Sequence, residues 1–250
     1  MKKIYFILIS IILSSVIAAA PITTDGLIAF YDADDNTAND QSGNGGPNGT
    51  LNGVSISPNG AFNQGFSFDG NSSIDLGNNS IIGSDTSFSI VAWVNANSFG
   101  AQTAIYGEFN TNNIDTRNYL FLDSSGRVFF DQFPNSGGAL VSQNSIATGQ
   151  FSQIVYTQDG TTRRIYIDGV LEAEDTSIET YQGSVPDVAR IGFRDNQNFG
   201  FDGVLDEIAF YDRALSIEQV TSQFAAVPEP STYIAFLFGL FAIGYFRKRK

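Results

Sequence analysis

The polar chemistry open to this chain runs through oxygen. Its 250 residues contain no His and no Cys. Without His there is no ordinary general base, no nitrogen ligand for zinc and no Ser-His or Cys-His nucleophile. Without Cys there is no disulfide framework and no thiolate metal site. Carboxylates and side-chain amides remain, and one stretch concentrates them: Asp32-Ala-Asp34-Asp35-Asn36, continuing through Asn39 and Asp40 to Asn44. Hard oxygen ligands, about six to eight of them, suit Ca²⁺. Asp32, Asp34 and Asn36 begin with the spacing of an EF-hand loop. Thr37 then stands where that loop needs Gly, and Gly43 where it needs Glu, so an EF-hand is excluded. A second carboxylate stands out for its surroundings. From Val204 the residues alternate, which predicts Val204, Asp206, Ile208 and Phe210 on one core-facing side of a strand. A carboxylate there must be paired, hydrogen-bonded or metal-bound. Glu172, Glu174, Asp175 and Glu179 form the densest acidic cluster; they follow a hairpin turn and read as a solvated loop.

Short strands must position these groups. Gly26–Asp32, Thr50–Ile56, Gly65–Phe68 and Ser73–Leu76 read as strands, with Asp69-Gly70 as hairpin-turn residues. Phe88–Asn95 is the clearest: Phe88, Ile90, Ala92 and Val94 make its core face, and Trp93 lies opposite, as a packed side chain rather than a sugar platform. Ala101–Gly107, Tyr119–Asp123, Arg127–Asp131 and Ala139–Val141 follow, with Ser124-Ser125-Gly126 as a hairpin loop. Polar loops are expected at 108–118 and 132–138, with Asn112, Asn113, Arg117, Phe130 and Phe133 as candidate contacts. Two Asp-Gly turns organise a three-stranded meander over 151–172, and Val185–Phe193 and Val204–Tyr211 complete the set. Ser216 and Gln219 are spaced as a capping box, with Leu215 and Val220 as the staple of one short helix. Strands recurring about every ten residues with no long helix argue an all-β, two-sheet antiparallel sandwich.

Charge and the two ends bound the setting. Between residues 21 and 227 seven arginines and no lysine face 25 carboxylates, a net charge of −18. Such a body repels nucleic acid, so no nucleic-acid partner is expected. Lys2-Lys3, the apolar run Ile4–Ile17 and Ala18-Ala19-Ala20 read as a secretory signal over residues 1–19. At the other end comes Pro228-Glu229-Pro230. An apolar 14-residue run at 233–246 and the basic stop Arg247, Lys248, Arg249 and Lys250 follow it. At ~1.5 Å per residue that run spans about 21 Å, short of a ~30 Å hydrocarbon core.

Phe201-Asp-Gly-Val-Leu-Asp-Glu-Ile-Ala-Phe-Tyr-Asp-Arg-Ala-Leu-Ser216 resembles the C-terminal signature of laminin-G-like, concanavalin A-like jelly-roll domains. Ser67-Phe-Asp-Gly-Asn71, Phe88-Ser-Ile-Val-Ala-Trp-Val94 and the two Asp-Gly turns of the meander carry the same likeness, which extends over about 25–224. The Pro-Glu-Pro motif, short apolar helix and basic tail closely resemble a PEP-CTERM sorting signal.

The resemblances imply a jelly-roll domain over 22–225 and a sorting segment over 226–250, with an N-terminal signal helix and a C-terminal apolar transmembrane helix. They imply one Ca²⁺ where the opening loop meets the last strand, with Asp32, Asp34, Asp40, Asn44 and Asp206 as ligands. A non-enzymatic, secreted surface or matrix module is expected, adhesive and binding glycan or exopolysaccharide, as in biofilm. An exosortase in a Gram-negative envelope would process it, and its contact with the membrane through 233–246 would be transient. The alternatives are a glycoside hydrolase of the same fold with an unrecognised site and a purely structural matrix protein. Glucanases on this sandwich space their carboxylates Glu-x-Asp-x-Glu or Glu-x-Asp-x-x-Glu on one strand. That spacing is absent here, so no catalytic residue is assigned.

Overall fold

The structure is a computed structural model. It describes residues 22–78, 80–82, 85–133, 138–160, 162–176, 186–193 and 199–225, with backbone alone at 113–116. The signal expected at 1–19 and the sorting segment at 226–250 lie outside the described residues. Among those described, no helix is long and apolar enough to cross a membrane.

Among the described residues, fifteen strands form a two-sheet antiparallel jelly roll, with one helix after the last strand. The strands are β1 (Leu27–Tyr31), β2 (Thr50–Asn52), β3 (Ser55–Ser57), β4 (Gly65–Asp69), β5 (Ser73–Asp75), β6 (Ser87–Ala96), β7 (Gln102–Asn110) and β8 (Asn113–Asp123). They continue as β9 (Arg127–Phe133), β10 (Leu140–Ser145), β11 (Ser152–Asp159), β12 (Thr162–Ile167), β13 (Val170–Asp175), β14 (Val188–Ile191) and β15 (Asp202–Tyr211). The helix α1 (Ile217–Ala225) closes the described chain. One sheet runs β13-β12-β11-β6-β15-β4-β3, with β1 also on β15; the other runs β10-β9-β8-β7-β14-β5-β2.

Between the sheets lies a core built from alternate residues of each strand. Phe88, Ile90, Ala92 and Val94 supply it from β6, as their alternation predicts, and face Leu120, Leu122 and Phe130 from the other sheet. Trp93 faces away, buried between the Phe62 ring at 5.7 Å and the Phe224 ring of α1 at 6.0 Å. Helix α1 lies over that outer face, bringing Val220 onto Tyr211 and Val155. Its start forms the expected reciprocal cap: Ser216 N–H donates to Gln219 Oε1 at 3.0 Å, and Gln219 N–H donates to Ser216 Oγ at 3.3 Å. Asp168 and Gly169 both have positive φ, which gives the β12–β13 hairpin its tight two-residue turn.

Two expectations need correction. The polar stretch 108–118 is mostly paired strand, with its turn at Thr111-Asn112. Phe130 is not a loop contact; it is fully buried and stacks on Tyr156 at 3.7 Å.

Gly203 is required where β15 meets β6. Its φ is +143°, and a Cβ would lie 2.1 Å from the Asn95 carbonyl oxygen. Gly203→Ala is therefore expected to destabilise the domain by roughly 2–3 kcal/mol through backbone displacement. Thermal denaturation should show a fall in Tm of about 5–10 °C; an unchanged Tm would contradict this reading of the contact.

Candidate functional site

Strand β15 carries the candidate site because its partner changes halfway along one edge. Residues 202–205 pair with β4, and residues 208–211 pair with β1. Asp206 and Glu207 fall at the join, and the register against β6 slips between Asp206 and Ala209. Glu207 has φ +50°, a conformation unusual for a residue with a side chain. This bulge changes the phase of the alternation. Leu205, Ile208 and Phe210 enter the sandwich core, whereas Asp206 lies opposite Trp93 and shares its outer face. The expected common face of Val204, Asp206, Ile208 and Phe210 is thus corrected, because strict alternation fails at a bulge.

Three of the expected metal ligands come together here. The end of β1 delivers Asp32 and Asp34, and the residues preceding β4 pack against both Asp34 and Asp206. Asp34 accepts from Asn63 Nδ2 at 2.9 Å and from the Gln64 amide at 3.1 Å. Asp206 accepts from the Phe62 amide at 3.0 Å and from the Glu207 amide at 2.8 Å. Gly60 permits that approach, since a Cβ there would lie 2.3 Å from Gln64 O and 2.7 Å from Asp206 Oδ2. Asp206 and Glu207 are both buried, and neither carboxylate oxygen of Glu207 has a hydrogen-bond partner. The buried Gln64 Oε1 also has none.

The electrostatics follow from burial. Desolvation pushes the Asp206 carboxyl up to about 8 against the lowering effect of its two amide donors, with Asp34 and Asp32 adding repulsion. Glu207 is pushed up to about 9 by desolvation first and then by Asp206, Asp32 and Asp34. Asp32 is raised as well, chiefly by burial. Asp32, Asp34, Asp206 and Glu207 thus repel one another across this site, and burial biases Asp206 and Glu207 toward their neutral forms.

The other two expected ligands do a different job. Asp40 Oδ1 accepts from the Phe30 and Ser42 amides, each at 2.9 Å. Its Oδ2 accepts from Ser42 Oγ at 2.8 Å and the Gly46 amide at 2.9 Å. Asn44 donates through Nδ2 to Leu27 O at 2.8 Å. Both staple the opening loop back onto β1. Among the described residues no group of three or more acidic side chains stands ready-made as a metal cage.

Glu207 is the site residue that sequence reasoning missed. Its neighbour Asp206 drew attention through the alternation, which placed Glu207 on the opposite face. Asp202-Gly203 and the adjacent Asp-Glu pair were the available signals, and neither specifies a bulge.

The acidic cluster near the meander is spent on pairing. Arg163, 1% exposed along its side chain, meets Asp175 at 2.9 Å; Arg164 meets Glu174 at 2.6 Å; Glu172 accepts from the Asn144 amide at 2.9 Å. Glu179 lies outside the described residues. On the seven-stranded sheet, Arg117 lies over the Phe133 ring at 4.8 Å and Asn112 is exposed at the β7–β8 turn; the Asn113 side chain is outside the description. Pro228, Glu229, Pro230 and the basic residues 247–250 are likewise outside it.

Fold and site define a two-sheet antiparallel jelly roll whose opening loop and closing strand meet at an acidic pocket. A family model described as the concanavalin A-like lectin/glucanases superfamily matches residues 68–221, and the chain belongs to that family. Comparison with curated proteins gives no match. Among solved structures the chain is similar to domain 4 of AbnA, a GH43 extracellular arabinanase from Geobacillus stearothermophilus, solved in complex with arabinotriose. The TM-score is 0.66 at 22% identity, over 79% of this chain and 97% of that one. It is also similar to the binding domain of Paraclostridial Mosquitocidal Protein 1, with TM-score 0.64 at 20% identity over 80% of this chain; it spans about half (52%) of that one. The Ruminococcus gnavus IT-sialidase CBM40 bound to α2,3-sialyllactose matches 58% of this chain and 84% of that one, with TM-score 0.51 at 16% identity.

Proposed function

We propose that this chain is a non-catalytic glycan-binding module, exported and displayed at the cell surface or in the extracellular matrix of a Gram-negative bacterium. The observation that carries the binding reading is the outer face of the seven-stranded sheet. Phe109, Tyr119, Phe121 and Phe129 form an aromatic layer there, with guanidinium groups of Arg117, Arg127 and Arg190 over the rings. Phe109, Tyr119 and Phe121 are themselves buried, so the half-buried Phe129 and the exposed Phe133 offer the accessible ring surface, which beside planar hydrogen-bonding groups suits the C–H face and hydroxyl edge of a sugar ring. The fold shared with an arabinotriose-bound domain supports the same reading.

Binding is favoured over hydrolysis by the state of the carboxylates. Retaining glycosidases hold two carboxyl groups about 5 Å apart beside the bond they cleave. Of the meander acids, Glu174 and Asp175 are ion-paired and Glu172 is hydrogen-bonded to Asn144, while Asp206 and Glu207 are buried. Retardation in polysaccharide-loaded native gels, without release of reducing ends, is the expected behaviour of the full chain. Release of reducing ends that a single carboxylate substitution abolishes would overturn it.

The acidic site is proposed to take a divalent cation, its carboxylates closing around the ion from an arrangement that is not a ready-made cage. Its donors are all oxygen, and Glu207 is an orphaned buried carboxylate that a cation would satisfy. Asp32, Asp34, Asp206 and Glu207 would hold Ca²⁺, which would supply the positive charge that this pocket lacks. Asp40, with four donors on its carboxylate, and Asn44, through its Nδ2, keep the loop in place.

Sorting completes the proposal. The tail is an address that an exosortase removes near Pro228-Glu229-Pro230, with Arg247–Lys250 retained on the cytoplasmic side until cleavage. Pro228 and Pro230 disfavour helix at this position, and a processing enzyme needs a segment free of helix to grip. Mass spectrometry of the protein from its native envelope should find a mature C-terminus upstream of residue 233. A mature species still ending at Lys250 in cells with an active exosortase would contradict it.

A further inference from the structure

We infer that the glycan site is a charge-neutral patch on β8 and β9 centred on Phe133, Arg117 and Asp131, and that it takes neutral rather than uronic or sialylated sugars. This rests on the glycan-binding reading and adds a place and a ligand class to it. Register puts the groups together. Arg117 lies opposite Phe133 and Tyr119 opposite Asp131, so all four share one face of the sheet. Tyr119 is buried, whereas Phe133 is 37% exposed, which makes Phe133 the accessible ring. Arg117 bridges the two: its guanidinium carbon is 5.8 Å from the Tyr119 centroid and 4.8 Å from the Phe133 centroid. The same guanidinium meets Asp131 at 3.0 Å, with 20% and 21% of the two side chains exposed. A half-exposed ring beside a fixed donor–acceptor pair matches a sugar, whose vicinal hydroxyls both donate and accept. Gly107, opposite Tyr119 on β7, lets the Tyr119 ring lie flat against the sheet, because a Cβ there would come within 3.0 Å of that ring.

Charge decides the ligand class. Three of the seven arginines of the body lie on this face, and each faces its own aspartate: Arg117 with Asp131, Arg127 with Asp123 at 2.8 Å, and Arg190 with Asp75 at 3.8 Å. Among the described side chains these three pairs cancel, within a body at −18. An anionic sugar would gain little at a neutralised guanidinium and would be repelled by the surroundings. A neutral ring meets no such penalty, and its binding should be nearly independent of salt.

The test is titration calorimetry of the purified full chain with arabinotriose, cellotetraose and mannotetraose as neutral probes and tetragalacturonate as the anionic one. Wild type, Phe133→Ala, Asp131→Asn and the distant surface control Leu171→Ala are compared, with melting curves to check folding. Binding of at least one neutral probe is expected, unchanged in Leu171→Ala and weakened about tenfold or more in Phe133→Ala and Asp131→Asn. Neutral binding that both patch variants retain would place the site elsewhere and overturn this inference while leaving the glycan reading intact. Preference for tetragalacturonate would overturn the charge argument, and no binding of any probe would sink both.

Discussion

Calcium at millimolar concentration is expected to raise the melting temperature of the EDTA-treated chain by about 5–10 °C. That shift corresponds to roughly 2.7 kcal/mol at a free cation concentration about a hundredfold above Kd, spread over a domain of this size. The cause is the pocket at the β15 bulge. Without a cation Glu207 is buried with no partner, next to Asp206, which burial also pushes toward its neutral form. The proposed cation would bind the folded arrangement alone, because the end of β1, the residues before β4 and β15 are assembled only there. Glu207→Gln should reduce the rise to less than about 2 °C, since it removes the charge and one of the carboxylate oxygens. Trp93, the single Trp, is expected to report the event. Its ring meets Phe62, whose amide donates to Asp206, so its emission should change with calcium in wild type and not in Glu207→Gln. Melting curves that coincide in EDTA and in calcium would remove the cation from the proposal.

A larger loss is expected from Glu108→Ala. Glu108 is completely buried on β7 and organises the segment that crosses over it. It accepts from Tyr106 Oη and the Ile81 amide, from the Ile82 amide and Ser80 Oγ at 2.9 Å, and from Asn118 Nδ2 at 3.2 Å. Removing the carboxylate strands several buried donors at once, at about 1–3 kcal/mol each before the segment relaxes into water. The expected net cost is roughly 3–5 kcal/mol, a fall in Tm of about 10–15 °C. Glu108→Gln keeps one acceptor oxygen and should cost about half as much. Equal melting temperatures for wild type and Glu108→Ala would show that residues 80–82 are held by other contacts. Glycan binding by either variant is expected to persist well below its Tm, because Glu108 lies on the inner side of the sheet.

The sandwich was legible because its strands obey a period of two over most of their length. Phe88-Ser-Ile-Val-Ala-Trp-Val94 states both faces of β6 directly, and Ser216 with Gln219 states the start of α1. The Asp-Gly turns marked the hairpins, since Asp and Gly accept positive φ at little cost. What alternation cannot show is a change of phase. The bulge at Asp206-Glu207 arises because β1 and β4 compete for one edge of β15, a contact between residues more than 130 positions apart. It moves Asp206 out of the core and buries Glu207 beside it. Asp40 was read as a ligand because oxygen-rich loops look alike in sequence whether they serve a cation or their own backbone. Its four donors include Phe30 and Gly46, and only the folded loop brings these together. Phe130 and Phe133 are three residues apart and looked equivalent. Their opposite parity on β9 puts one in the core and the other at the surface.

The most direct measurement is a microarray of neutral and anionic glycans probed with the full chain in calcium-containing buffer. Retention is expected on one or more neutral glycans, persisting at high salt, with anionic spots weaker than their neutral counterparts. A chain whose melting curve shows it folded, yet which is retained on no glycan, would contradict its reading as a glycan-binding module.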